Sequence, residues 1–126
     1  VIEHVSFTVS PADAVACAGF YELLGFARVE PPAGLGDRSI WLSCGGSSLH
    51  LVFRDRDQAD LATPPPRDDG GHVALVVESF DATIAALGAA GVVVEPRTAY
   101  WGAARALVRD PAGNLIELMA AAPVVR

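Results

Sequence analysis

Three histidines and one glutamate are the residues of this chain whose types and spacing invite metal chemistry. His4, His50 and His72 are its only histidines, and Glu117 is the acid that keeps step with them. Neutral imidazole and carboxylate together suit Zn, Ni, Co, Mn or Fe(II), with bonds of roughly 2.0–2.2 Å. A single strand histidine is ordinarily satisfied by hydrogen bonds and needs no ion. The spacing changes that weighting, because His72 lies 68 residues after His4 and Glu117 lies 67 after His50. The four residues are therefore two copies of one pair.

The elements that must carry them follow from residue periodicity. Residues 2–10 alternate, with His4, Ser6 and Thr8 on one face and Val5, Phe7 and Val9 on the other, the period of a strand. Pro11 and Asp13 open a helix, since proline suits a first turn and an acid suits its positive end. Cys17, Phe20, Tyr21 and Leu24 form its apolar stripe, and Gly25 stops it. Strands follow at about 26–30, 39–44 and 47–53. The pair Gly45-Gly46 turns the last two into a hairpin, with Ser48, His50 and Val52 sharing one face.

The second half repeats this order. Residues 72–78 form an alternating strand that begins with histidine, and a helix at about 80–90 carries Phe80, Ile84 and Leu87 up to Gly91. Strands are expected at 92–95, 103–109 and 114–120. Asp110-Pro111 and Gly113-Asn114 mark the last turn, which Arg109 and Asp110 order. Between the halves, residues 54–71 are charged and rich in proline and glycine, with Arg54, Arg56 and Arg67 among aspartates, as in a solvated linker.

An internal repeat decides the fold more than any single motif. The expected class is α+β: two βαβββ modules forming a curved, mostly antiparallel eight-stranded sheet, with one helix per module on its convex side. Module 1 covers about 1–55, the linker about 56–71 and module 2 about 72–126, within a single domain of residues 1–126. Ligand-bearing faces carry small or polar neighbours (Ser6, Thr8, Ser48, Ala74), whereas the opposite faces carry Phe7, Leu51, Leu75 and Leu118. The bulky faces would pack on the helices, and pairing of the modules about a pseudo-twofold axis would bring the four ligands to one point.

Composition excludes several classes. A chain with 52% hydrophobic and 19% charged residues is globular, and a net charge of −6 lacks the basic footprint that phosphates demand. Nucleic acid is therefore not an expected partner. Apolar runs are broken by Gly, Pro or charge before reaching membrane-spanning length, so no membrane contact is expected. His4 and Glu3 fall where a signal sequence would need apolar residues, and Cys17 and Cys44 form no paired motif. Both are expected to be buried thiols in a cytoplasmic protein.

The runs FYELLGF at 20–26, GHVALVVE at 71–78 and DPAGNLIEL at 110–118 resemble the vicinal oxygen chelate superfamily. This superfamily includes glyoxalase I, fosfomycin-resistance transferases, extradiol dioxygenases and bleomycin-resistance proteins. The resemblance spans essentially the whole chain. It implies that His4, His50, His72 and Glu117 occupy the metal-ligand positions of that fold. It also implies one divalent metal ion, which chelates two neighbouring substrate oxygens and stabilises an enolate or oxyanion as a Lewis acid. Glyoxalase I typically has a proton-transferring glutamate where this chain has His50. An imidazole bound through its only free lone pair cannot take that role.

By the same resemblance, Tyr100, Trp101 and Arg105 sit at the rim of the cavity. Trp101 would stack on a substrate or cover the edge of the core, and Arg105 would hold a carboxylate or be a solvated strand residue, while Trp41 either lines the cavity or fills the core. No catalytic residue is assigned. The implied function is a metal-dependent lyase, isomerase or dioxygenase acting on a small oxygenated molecule. The alternative is a metal-free small-molecule-binding protein of the bleomycin-resistance type. A homodimer is implied, and in some relatives the halves of one chain contribute to two sites across its interface.

Overall fold

A computed structural model describes residues 1–54 and 71–124. The expected linker at 56–71 thus lies outside the described residues except for Gly71. The chain divides into two compact units, Val1–Pro64 and Pro65–Arg126.

In the first unit, β1 (His4–Val9) leads into α1 (Pro11–Leu23), followed by β2 (Ala27–Val29), β3 (Ser39–Cys44) and β4 (Ser47–Phe53). Ser10 caps α1, its Oγ accepting the Asp13 amide at 3.1 Å, and Pro11 occupies the first turn, where a missing N–H costs nothing. Gly25 closes the helix at φ +99°, a left-handed conformation that favours glycine. Cys17, Phe20, Tyr21 and Leu24 are buried as the stripe requires, and Tyr21 meets Phe20 and Phe26 edge to face. The two aromatic ends of FYELLGF thus clasp one buried tyrosine. Cys44 is exposed and only Cys17 is buried, which corrects the expectation for the second thiol. Cys44 is the last residue of β3, next to the Gly45-Gly46 turn, where a strand end is open to solvent.

In the second unit, β5 (Val73–Val76), α2 (Phe80–Ala89), β6 (Glu95–Arg97), β7 (Arg105–Arg109) and β8 (Leu115–Met119) repeat the order. His72 therefore immediately precedes its strand. The strand expected at 92–95 falls instead at β6. Val92–Val94 have high strand propensity, but pairing with β7 decides the register, setting Glu95 opposite Leu107 and Arg97 opposite Arg105. Leu87 is the fully buried residue of α2.

Among the described residues, hydrogen bonding divides the eight strands into two mixed sheets of four, ordered β1-β4-β3-β2 and β5-β8-β7-β6. In each, the first strand runs parallel to the last, as the intervening helix and strands allow, and the remaining pairs are antiparallel. Gly45 and Gly46, both at positive φ, make the tight β3–β4 turn. The β7–β8 turn is built differently. Asp110 is buried there, and its carboxylate accepts the amides of Ala112 and Asn114 at 3.0 and 2.9 Å and the Asn114 side chain at 2.8 Å. Arg109 Nη1 adds a bond to the Gly113 carbonyl at 3.0 Å.

The repeat is visible in the register. His50 stands opposite Ser6, and Glu117 stands opposite Ala74, each two residues after the histidine that opens its module. Leu42, Leu49 and Leu51 fill the opposite face of the first sheet, and Ala106, Val108, Ile116 and Leu118 that of the second. No helix among the described residues is long and apolar enough to cross a membrane.

Candidate metal and ligand site

Four polar or charged residues are buried among the described ones: Ser39, His50, Asp110 and Glu117. A buried polar group is informative because its desolvation must be offset. Ser39 donates to the Leu35 carbonyl and Asp110 builds a turn, which leaves His50 and Glu117, the two repeat-related residues of the closing strands.

In the first unit, His50 lies between two rings. Trp41, directly opposite it on β3, stacks at 3.8 Å between centroids with the planes 10° apart. His4 covers the imidazole from the β1 side at 4.3 Å and 19°. His50 Nε2 lies 3.3 Å from Ser48 Oγ, which in turn reaches the Leu42 carbonyl at 3.5 Å. A serine hydroxyl carries one proton. If that proton goes to the carbonyl, Oγ accepts from Nε2–H and Nδ1 carries the lone pair; if it goes to Nε2, the tautomer is the reverse. Burial lowers the His50 pKa and the neighbouring His4 lowers it further, against an opposing pull from Glu3. The shift favours the neutral form that a metal needs. His4 is more exposed and pairs through Nδ1 with Glu3.

Trp41 also borders a cavity of about 340 Å³ together with Arg28, Val29, Pro31, Ser39 and Ile40. It therefore lines open space and packs on His50 at once.

In the second unit, His72 Nε2 lies 3.2 Å from Glu117 Oε2. The other carboxylate oxygen, Oε1, receives Arg105 Nε at 2.6 Å and lies 2.5 Å from Nη2. Arg105 also donates through Nη1 to the Thr98 carbonyl at 2.8 Å. Its guanidinium carbon lies 4.9 Å from the Trp101 ring centroid and 5.6 Å from that of Tyr100. Trp101 donates from Nε1 to the Ala121 carbonyl at 2.8 Å, and Tyr100 is largely exposed. The carboxylate that Arg105 holds here is that of Glu117. Only the β7–β8 register reveals this pairing: Leu107 stands opposite Glu117, which puts Arg105 on the diagonal of the same face.

The His72–Glu117 contact is a hydrogen bond as it stands, and its length is also compatible with two ligands of one ion. Two bonds of about 2.1 Å at angles of about 90–110° put their donor atoms about 3.0–3.4 Å apart. The observed separation of 3.2 Å falls in that interval. His4 and His50 have suitable donor atoms but a different arrangement. A bound ion lies near the plane of each imidazole, and two rings stacked face to face do not aim at one ion without one of them turning. Among the described residues, no group of three or more His, Cys, Asp or Glu side chains is gathered closely enough to hold a metal.

The Glyoxalase/Bleomycin resistance protein/Dioxygenase superfamily model matches residues 1–118. No curated protein matches the chain. Among solved structures, a glyoxalase family protein from Bacillus anthracis is similar at 27% identity, covering 94% of this chain and 93% of that one, with a TM-score of 0.76. TnmS3, an antibiotic binding protein from Streptomyces sp. CB03234, is 28% identical over 94% and 93% of the two chains, with a TM-score of 0.66. Lactoylglutathione lyase from Agrobacterium tumefaciens, at 23% identity over 94% and 92% and a TM-score of 0.66, shares the fold. With two βαβββ modules in place and a family match over nearly its whole length, the chain belongs to the Glyoxalase/Bleomycin resistance protein/Dioxygenase superfamily.

Proposed function

We propose that the chain is a divalent-metal-dependent enzyme that binds a small oxygenated substrate by chelation, as a lyase, isomerase or dioxygenase. Its ligands are drawn from the His72–Glu117 pair and the His4–His50 pair. The observation that carries this reading is the 3.2 Å approach of His72 Nε2 to Glu117 Oε2, with the second carboxylate oxygen held aside by Arg105. A neutral His50 supports it as well, because a protonated imidazole has no lone pair to give.

A bound divalent ion with open positions would supply Lewis-acid polarisation of the substrate oxygens. The chain's own part is to bind and orient. Trp41 lines the cavity of about 340 Å³, and burial lowers the His50 pKa, which favours the imidazole form a metal can use. Serving as a ligand through its free lone pair, His50 leaves proton transfer to another group.

Metal analysis of protein purified without added metal or chelator tests the reading. Close to one Zn, Ni, Co, Mn or Fe per chain supports it. Failure to bind any of them after they are supplied overturns it.

A second reading, a metal-free binding protein that sequesters a small molecule, draws on the Trp41–His50–His4 stack. Stacked rings present a flat π surface to a planar ligand. The antibiotic-binding protein TnmS3 is similar to this chain at 28% identity. Tight binding of a planar aromatic ligand by chelator-treated protein, unchanged on adding metal, would favour this reading.

A further inference from the structure

A free carboxylate can engage an ion through either oxygen or through both, so something must decide which of these Glu117 offers. The usual arginine–carboxylate fork spends one N–H on each oxygen and would cover both. Arg105 does otherwise. Its Nε and Nη2 converge on Oε1 at 2.6 and 2.5 Å, and Oε2 remains turned toward His72.

We propose that Arg105 is a positioning residue that holds Glu117 as a single-oxygen ligand facing His72. The inference rests on the metal-dependent reading given above. Arg105 is itself fixed from three sides. Nη1 is committed to the Thr98 carbonyl, and the Trp101 and Tyr100 rings flank the guanidinium. Trp101 is anchored to the Ala121 carbonyl, two residues beyond the strand that carries Glu117. The clamp and the ligand are therefore tied to the same pair of strands. All three guanidinium nitrogens are engaged within the protein, so Arg105 cannot swing to a substrate without releasing Glu117.

A simpler role would be neutralisation of a buried carboxylate, and lysine would do that equally well. Lysine would also repel a bound cation to the same degree. It lacks the planar two-point contact that keeps one oxygen occupied. Arg105→Lys therefore separates positioning from charge.

The test is titration of chelator-stripped protein with Co(II), followed by calorimetry and visible absorption. Wild type should bind one Co(II) per chain. R105K should bind about 10–100-fold more weakly, the usual cost of losing a partner that orients a ligand. Its d–d bands should also change as the second carboxylate oxygen joins the ion. R105Q, which removes the charge, should show the same change in band shape. Metal-free thermal unfolding establishes that each variant is folded, and either folded variant suffices. Wild-type bands in a folded variant, with unchanged affinity in R105K, would overturn the positioning role and leave the metal reading standing. Absence of Co(II) binding by wild type would overturn both.

Discussion

The imidazoles of His4 and His50 stack at 4.3 Å with planes 19° apart, and His50 is the more buried of the two. Burial lowers the His50 pKa below the usual 6.5, and His4 lowers it further. The sign of the stability effect follows from proton counting. Below pH 6.5 the unfolded chain takes up a proton that the folded chain refuses, so stability is lost as pH falls through the folded pKa. His50→Gln should remove that dependence. Unfolding midpoints of metal-free wild type and H50Q should draw together or cross as pH is lowered from about 8 to about 5, through the imidazole range. A constant gap would contradict this.

Trp41 covers the other face of His50 at 3.8 Å. Since burial is the first cause of the lowered pKa, Trp41→Ala should let water reach the ring and raise the His50 pKa toward its usual value. The same change should cost about 1 kcal/mol from lost ring stacking, with a further loss from apolar burial. NMR titration of the histidine ring protons reads the first effect and urea unfolding the second. An unmoved His50 titration would show that Trp41 does not shield it.

Glu117 and Arg105 form a pair with side chains only 7% and 17% exposed, so removing one partner strands the other. Glu117→Ala should destabilise the metal-free protein by about 3 kcal/mol, and Glu117→Gln, which keeps an acceptor, by less. The double variant E117A/R105A should cost less than the two single changes together. Additive losses in urea unfolding would mean that the pair is not energetically coupled.

Asp110 holds the loop that delivers β8, accepting the Ala112 and Asn114 amides and the Asn114 side chain. Asp110→Ala would take away the acceptor of the half-buried Ala112 and Asn114 amides and should cost about 1–3 kcal/mol. Asp110→Asn should recover part of this. Near-wild-type stability of D110A in thermal unfolding would show that the turn holds without its carboxylate.

The repeat carried most of what was legible beforehand. Spacings of 68 and 67 residues predict equivalent places for His50 and Glu117, and the registers Ser6–His50 and Ala74–Glu117 agree. The helix stripe from Cys17 to Leu24 and the Gly45-Gly46 turn were equally plain, because local periodicity and positive φ leave a direct mark on residue type. Non-local features were less visible. The run Val92–Val94 reads as a strand until β7 imposes its register on Glu95–Arg97. The Arg105–Glu117 contact spans twelve residues across a turn, and it becomes visible only when the turn length fixes which residues lie on one diagonal. The serine that orients His50 had a local signal, since Ser48 lies two residues earlier on the same strand face.

Calorimetric titration of chelator-stripped protein with Ni(II), alongside His72→Ala and Glu117→Gln, tests the central claim most directly. The account predicts one site per chain in wild type and affinity that falls as pH is lowered, because protons compete with the ion for the ligand lone pairs. Each variant should lose at least about tenfold in affinity, because each removes or weakens a bond to the ion. Wild-type affinity in His72→Ala, or no binding by the wild type itself, would contradict it.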